Sequence, residues 1–585
     1  MRYVRHFLVI VGLALSAAGL GMWICRARPA AARAVFQRII PPRTQPGALP
    51  RYRLRPELAS ALPSTAFQSP SRASNGYTKL RFTPVRIRGA ERTSVSTTKE
   101  LPRLSRTFDQ KHRLPTSPAV KTRFGVQIDL EAGYGYDDLL IGHLRHGAQF
   151  QGAHYALTGH WERTRDAFPN TAEENLTTRL MGKINLADAS SIVLDGAYTQ
   201  SQVALPQLPY QAAHNKSAIQ ARAGYRTNVD PTLYAAVTLA WEDALFRDEG
   251  DVQSALTTYR GEIALRKSWS GKNTLSLETE GAWEQLAQGE DPDITGYYGN
   301  ALLLNSFAMY DRFSLDTGLR LDYYYSQREP RATYHITPVV AARWQVFPAT
   351  SWYMQYHPRL EIPDFTDLYI HKLYTTVNSE LHAEQQQHYV EVGFKQRVGE
   401  AFVVNVGGFY HDSRDFIFQI DTNADQILEY AQMPSVDFLG VRANIQMNYR
   451  ERLVQNITYT YTTHHIFSAQ RVSLLGGDFR NEILPYQPNH QIRAGLAWKL
   501  PFGLTLDVDG IYVSEQYRNR SKDQSPIGRR FFVNIEAAQR ISANISLVVA
   551  GRNVTDISTY DIIPWLNSEE ITSSRLLWGG IRLRF

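Results

Sequence analysis

Val126-Gln127-Ile128-Asp129-Leu130-Glu131-Ala132-Gly133-Tyr134 alternates apolar side chains with polar ones or glycine. Successive side chains of a strand point to opposite faces. The stretch therefore has one apolar face, from Val126 to Tyr134, and one polar face carrying Gln127, Asp129 and Glu131.

The same split recurs along the chain. It returns at Leu176–Ile184, at Leu275, Leu277, Thr279, Gly281 and Trp283, and at Leu504, Leu506, Val508 and Tyr512. A soluble sandwich also alternates, so segment length has to decide. These segments run ~10–15 residues, the length a tilted strand needs to cross a bilayer. Short turns at Ser270-Gly271-Lys272-Asn273, Leu500-Pro501-Phe502-Gly503 and Ser542-Ala543-Asn544 alternate with polar loops at Asp166–Asn175, Gln202–His214 and Ser468–Gln487. Short turns at one end and long loops at the other mark outer-membrane barrels. The pattern predicts an all-β fold, a large transmembrane antiparallel β-barrel of about 22 strands over 122–585.

The polar face of such a barrel lines its lumen. Candidate lumen charges are Asp129, Glu131, Arg260, Glu262, Arg266, Glu278, Glu280 and Glu284. If Gly271-Lys272-Asn273 is a three-residue hairpin turn, Arg266 lies opposite Glu278 and Arg260 opposite Glu284. Such pairs brace a wall, each contributing a few tenths to about 1 kcal/mol. A patch that selects a solute is the other reading.

Composition fits this class. Of 585 residues, 43% are hydrophobic and 20% charged, and the mean hydropathy of −0.34 argues against a bundle of transmembrane helices. A transmembrane barrel exposes only alternate residues to lipid, so it averages like a soluble protein. The 32 Tyr, 25 Phe and 10 Trp suit aromatic belts at two membrane interfaces.

The N-terminus reads differently. Arg2 and Arg5 precede an apolar run from Phe7 to Ile24, followed by Ala30-Ala31-Ala32. This is the pattern of a secretory signal over 1–32. At roughly 18 residues the run is also long enough for an uncleaved anchor. Cys25 is the single cysteine, and the residues before it do not suit lipid attachment. A mature chain without it has no disulfide and no thiolate chemistry. Residues 33–121 are rich in Pro, Ser, Thr and Arg, with only Glu57, Glu91, Glu100 and Asp109 as counter-charges. Such a segment is expected to be disordered or extended, apart from a short strand near Leu80–Ile87. For an exported chain this charge points away from nucleic acid and toward acidic barrel walls or anionic lipid. The rest of the chain is net acidic.

The chain ends Leu577-Trp578-Gly579-Gly580-Ile581-Arg582-Leu583-Arg584-Phe585. Ile581, Leu583 and Phe585 in phase resemble the terminal signal read by the barrel assembly machinery. Further matches follow one family's order. Arg359-Leu360-Glu361-Ile362-Pro363-Asp364-Phe365-Thr366-Asp367-Leu368-Tyr369 and Asn378-Ser379-Glu380-Leu381-His382-Ala383-Glu384 resemble the mid-barrel motifs of TonB-dependent outer-membrane receptors. Gly440-Val441, Leu484-Pro485-Tyr486-Gln487-Pro488-Asn489-His490-Gln491 and Gly551-Arg552-Asn553-Val554-Thr555-Asp556 with Tyr560 are similar to later ones. The motif positions are Arg359, Pro363, Phe365, Leu368, Tyr369, Asn378, Glu384, Asn553 and Asp556. The resemblance covers Phe124 to Phe585 and implies an outer-membrane location, with lipid and the assembly machinery as partners. It does not extend to the folded plug that these receptors carry ahead of the barrel. Residues 33–121 are too few and too basic for one, which leaves TonB pulling on a plug without support.

Other chemistry finds little footing. His143 and His146 point to opposite faces of a strand, and His464-His465 falls in an expected loop, so no metal site is expected. No phosphate loop, serine elbow, cofactor site or catalytic set is legible, and the chain is not expected to be an enzyme. The expected function is passage of a solute or polymer across the outer membrane. The alternatives are a scaffold that moves nothing and a receptor whose plug is a separate polypeptide. A lumen of this size needs a stopper: the basic segment, inward-folded loops or a partner protein.

Overall fold

The computed structural model describes residues 125–585, except for stretches in the connections between strands, of which 467–483 and 557–574 are the longest. The signal at 1–32, the basic segment at 33–121 and the suggested strand near Leu80–Ile87 lie outside the described residues.

The first strand, Gly125–Gly135, pairs with Leu140–Phe150, and each later wall strand pairs antiparallel with its successor. The last, Leu576–Arg584, returns to the first, with Leu130 opposite Leu583 and Ala132 opposite Ile581. Of 24 strand segments, two add nothing to the circumference. Arg359–Glu361 continues Thr350–Tyr356 across His357-Pro358, and both pair with Glu384–Val398. The two-residue Thr375–Thr376 lies parallel to Leu428–Glu429. The result is a closed 22-strand antiparallel barrel, the number the sequence pattern predicts. Closure matters because a bilayer offers no water to unpaired backbone groups.

Ten connections at one end span two to four residues, among them 270–272, 500–503 and 541–544. At the other end they reach 22 residues (362–383) and 23 residues (467–489 and 553–575). The turns and loops read from the sequence fall on the expected ends.

Leu130, Leu144, Leu180, Leu319 and Ile336 stand exposed on the outer face. Trp269, Trp344, Trp352 and Trp498 ring the short-turn end, while Tyr297, Tyr323, Tyr325 and Tyr334 make outward ring contacts nearer the other. Ten residues separate Tyr334 from Trp344. That is about 33 Å along the strand and, at a tilt of ~40°, about 25 Å of apolar band.

Two details differ from the sequence reading. Trp269 pairs with Asn273, so the turn is Ser270-Gly271-Lys272, one residue earlier than expected. Arg266 then faces Ser276 and Arg260 faces Ala282, while Glu278 faces Ala264 and Glu284 faces Thr258. The slip spans two positions across the ladder, so every side chain keeps its face and only the partners change. His464 and His465 also belong to a strand, Leu453–Ile466, and not to a loop.

Candidate functional site: the lumen and its mouth

The inner wall is charged and internally paired. Glu262 directly faces Glu280, a repulsive arrangement, but each carboxylate has a cation. Arg222 Nη2 donates to both oxygens of Glu262 at 2.7 and 2.8 Å, and Arg260 lies 3.5 Å from Glu280. Arg179 donates to Asp195, and Arg320 to Asp322 at 2.9 Å. These pairs tie neighbouring strands together along the inner face, with partners other than the Arg266–Glu278 and Arg260–Glu284 pairs read from the sequence.

The closure has its own staple. Arg582 of the last strand donates at 2.8 Å to Glu131 of the first strand and at 2.8 Å to Glu536. Beside it, Arg552 Nη1 donates to both oxygens of Glu162 and stacks on Trp578. On the outer side of the same strand Ile581 and Phe585 are exposed, with Leu583 partly so. Asp129 faces Arg145 on one side and Arg584 on the other in the ladder.

At the long-loop end the wall turns inward. Pro358 and Pro338 interrupt the ladder between Glu329–Phe347 and the chain that follows Tyr356, since neither has an N–H to give. Thr337 donates its hydroxyl to the Pro358 carbonyl instead. The chain then moves to the inner side, where the Leu360 N–H donates to Asp322. Leu360 and Ala383 pack on Ala282, Tyr298 and Tyr324 of the wall.

The hairpin of Phe402–Ile420 and Leu428–Tyr449 bends at the same level. Arg414 pairs with Ser435 and Phe416 with Met433, which leaves Asp415 opposite Pro434 at a break in the ladder. Asp415 has φ +54°, uncommon for a residue with a side chain. Below the break, odd positions of the first strand (Phe409, His411, Ser413) face the lumen, while Tyr410 is exposed outside. Above it, Phe416 and Phe418 would continue the outward face. Instead they are fully buried against Val436, Phe438, Ile466 and Leu484, on the inner side of the wall. The Phe416 and Phe438 rings lie 5.1 Å apart.

The other face of the bent tip looks across the mouth. Ile417 and Tyr430, with Leu368 and Leu381 of the 362–383 segment, join one apolar cluster with Ala218, Ala244, Leu256, Leu286 and Ile294. The latter five form a single ladder row over five neighbouring strands. Their even spacing from Glu262 and Glu284 places the row on the lumenal face. Hydrogen bonds tie the tip to the 362–383 segment: Asn378 donates to the Tyr430 carbonyl, and Gln432 donates to His382 and accepts from its N–H.

Five of the family-motif positions, Arg359, Pro363, Leu368, Asn378 and Glu384, lie here. Arg359 pairs with Glu361, Pro363 and Leu368 are buried, and Glu384 is fully enclosed where it accepts from Ser413 at 2.7 Å. Asn553 (φ +48°) and Asp556 (φ +53°) shape the turn after the penultimate strand, where the Asn553 N–H donates to Asn534. Phe365, Tyr369 and Tyr560 lie outside the described residues. The lumen candidates Arg266, Glu278 and Glu284 lie on the inner face, and Glu284 is buried there. His143 meets His160 across the ladder inside the lumen, and His146 accepts or donates to Tyr155.

Sequence reading misses Asp415, Pro434 and Phe438. A signal exists: Phe416-Ile417-Phe418 is apolar on both faces, which no lipid-facing wall strand needs.

A sequence model of a family described as TonB dependent receptor-like, beta-barrel matches residues 67–554. In fold the chain is similar to the siderophore receptor PiuA from Acinetobacter baumannii, with TM-score 0.62, 11% identity and coverage of 79% of this chain and 82% of that one. It is likewise similar to the FrpB iron transporter from Neisseria meningitidis (TM-score 0.62, 11% identity, 80% and 82% covered). The copper transporter OprC gives TM-score 0.60, 14% identity, and 79% and 82% covered. No curated protein sequence matches the chain.

Proposed function

The chain belongs to the TonB-dependent receptor-like β-barrel family of the bacterial outer membrane, and from that premise we propose that it passes a solute across this membrane through its own lumen. The observation that carries the reading is the closed ring with an ion-paired inner face and a lipid-facing outer one. A wall that only anchored other proteins would have no need of so many inward charges held against it. Fold neighbours are named as a siderophore receptor, an iron transporter and a copper transporter, which favours a small solute over a polymer. Family membership implies a periplasmic TonB-type partner.

Residues 1–124 hold 23 Lys and Arg against 4 Asp and Glu, which leaves 40 against 52 for 125–585. Attraction between the two parts supports a role for the basic segment as a stopper of the lumen. Planar bilayers containing the full chain, or a chain lacking 33–121, test the reading. Discrete conductance in either form supports a pore. A barrel that stays silent under every truncation supports a scaffold.

A further inference from the structure

We propose that an apolar groove at Gly408, on the lipid-facing side of the wall, seats an acyl chain of a phosphorylated glycolipid of the outer leaflet. Such a seat depends on the outer-membrane location and not on the pore reading.

The groove encloses about 370 Å³, and its lining includes Val390, Gly408, Tyr410, Leu439, Val441 and Tyr461. These residues share one face of four neighbouring strands. Val390 faces Tyr410 and Tyr410 faces Leu439, while Gly408 faces Val441 and Val441 faces Tyr461. Tyr410, Leu439 and Val441 are exposed on the outer side. Gly408 puts no side chain into this face, and even a Cβ there would meet nothing nearer than 3.8 Å. A gap in the wall forfeits dispersion contacts unless a chain of the bilayer fills it. Lipid tails are as apolar as the wall, so the groove gains from close packing alone. Preference for one lipid has to come from a polar anchor beside it.

That anchor is the next row on the same face. His388, Asp412, Asp437 and His465 face one another in turn across the same four strands. The row lies two residues beyond Val390, Tyr410 and Leu439, roughly 7 Å along the strands. Asp412 is ten residues from the exposed Phe402 near the short-turn end, the same separation as Tyr334 from Trp344. The charged row therefore marks the outer edge of the apolar band, on the long-loop side. Asp412 accepts the His388 N–H at 2.7 Å, and Asp437 accepts the Tyr410 hydroxyl at 3.0 Å. Both carboxylates are partly exposed, and an ionised carboxylate can only accept. Like charges directly opposite each other are unfavourable, and a bare phosphate at this level would add to the repulsion. A glycolipid brings sugar hydroxyls and amide N–H groups to the head of its acyl chains, which are the donors this row needs. Arg414, exposed two residues beyond Asp412 on the same face, suits the phosphate. Chain, donors and phosphate thus meet their partners in the order in which a lipid presents them.

The test is native mass spectrometry of the folded full chain in a nonionic detergent, titrated with bisphosphorylated lipid A or with phosphatidylethanolamine. Folding is checked by the heat-sensitive mobility of an intact barrel on gels. We expect tight binding of a single lipid A, with phosphatidylethanolamine roughly tenfold weaker. Gly408→Leu fills the groove and should weaken lipid A roughly tenfold. Gly196→Leu adds the same side chain to the outer face beside Leu180 and should leave binding unchanged. Equal affinity of lipid A for the wild type and the folded Gly408→Leu variant overturns the seat. Equal affinity of the wild type for the two lipids overturns the assignment to a glycolipid. If Gly408→Leu does not fold, Leu439→Ala with Val441→Ala strips the walls of the groove instead. Weaker lipid A binding in that variant supports the seat, and unchanged binding overturns it.

Discussion

At the residue scale, the faces of the barrel were legible and the partners were not. Alternation fixes which way Glu131 and Glu284 point, because the strand period is two. It does not say that Glu131 meets Arg582, 451 positions away, since closure is a property of the whole ring. That pair is nearly enclosed, so removal of the cation takes a charge-assisted hydrogen bond from both Glu131 and Glu536. Arg582→Ala is expected to cost about 2–4 kcal/mol, toward the low side of a buried pair because the lumen is wet. Urea midpoints in lipid vesicles measure this, and a Glu131→Gln partner change should recover part of the loss. A second residue pair separates steric need from sequence habit. A Cβ on Gly440 would lie 2.4 Å from the Tyr461 carbonyl oxygen and 2.3 Å from the Phe409 ring. On Gly408 it would meet nothing nearer than 3.8 Å. Gly440→Ala should therefore destabilise by about 1–3 kcal/mol, while Gly408→Ala stays close to neutral. Equal unfolding midpoints for the two variants would count against the close approach of Phe409.

At the scale of elements, strand number, the two kinds of connection and the closing strand all follow from period and turn chemistry. The bend does not, because a hairpin that leaves its sheet obeys packing across the lumen instead of its own alternation. The mid-barrel motifs were visible only as a likeness. Their physical content is that Leu368, Asn378 and Glu384 hold a segment inside the mouth. Burial of side chains such as Phe416, Phe418 and Met433 contributes roughly 1.5–3 kcal/mol each to the folded-in state. The bend at Asp415 gives a sharper expectation. Asp415 already sits at φ +54°, so Asp415→Gly should hold stability or raise it slightly. Asp415→Val forces a branched side chain into that region and should cost about 1–3 kcal/mol. Thermal melts of the two variants distinguish a left-handed bend from an ordinary strand position, for which valine would be the better residue.

For the whole molecule, the charge division decides what an opened barrel would prefer to pass. Residues 125–585 carry 52 acidic against 40 basic side chains, and many of the basic ones are committed to wall pairs such as Arg222–Glu262 and Arg582–Glu131. A lumen with excess carboxylates raises the local concentration of cations and lowers that of anions. With the hairpin tip and residues 33–121 both removed, the pore should therefore select cations. A KCl gradient across the bilayer reads this as a reversal potential displaced toward the potassium value. The displacement should shrink as salt rises, because charges are screened over about 10 Å at 0.1 M and about 3 Å at 1 M. Restoration of the basic segment alone should reduce the selectivity or block the current, and high salt should relieve the block. Anion selectivity in the doubly deleted protein would mean that the excess carboxylates sit on the outer loops and not on the wall. In that case the attraction that draws the basic segment toward the lumen would be lost with them.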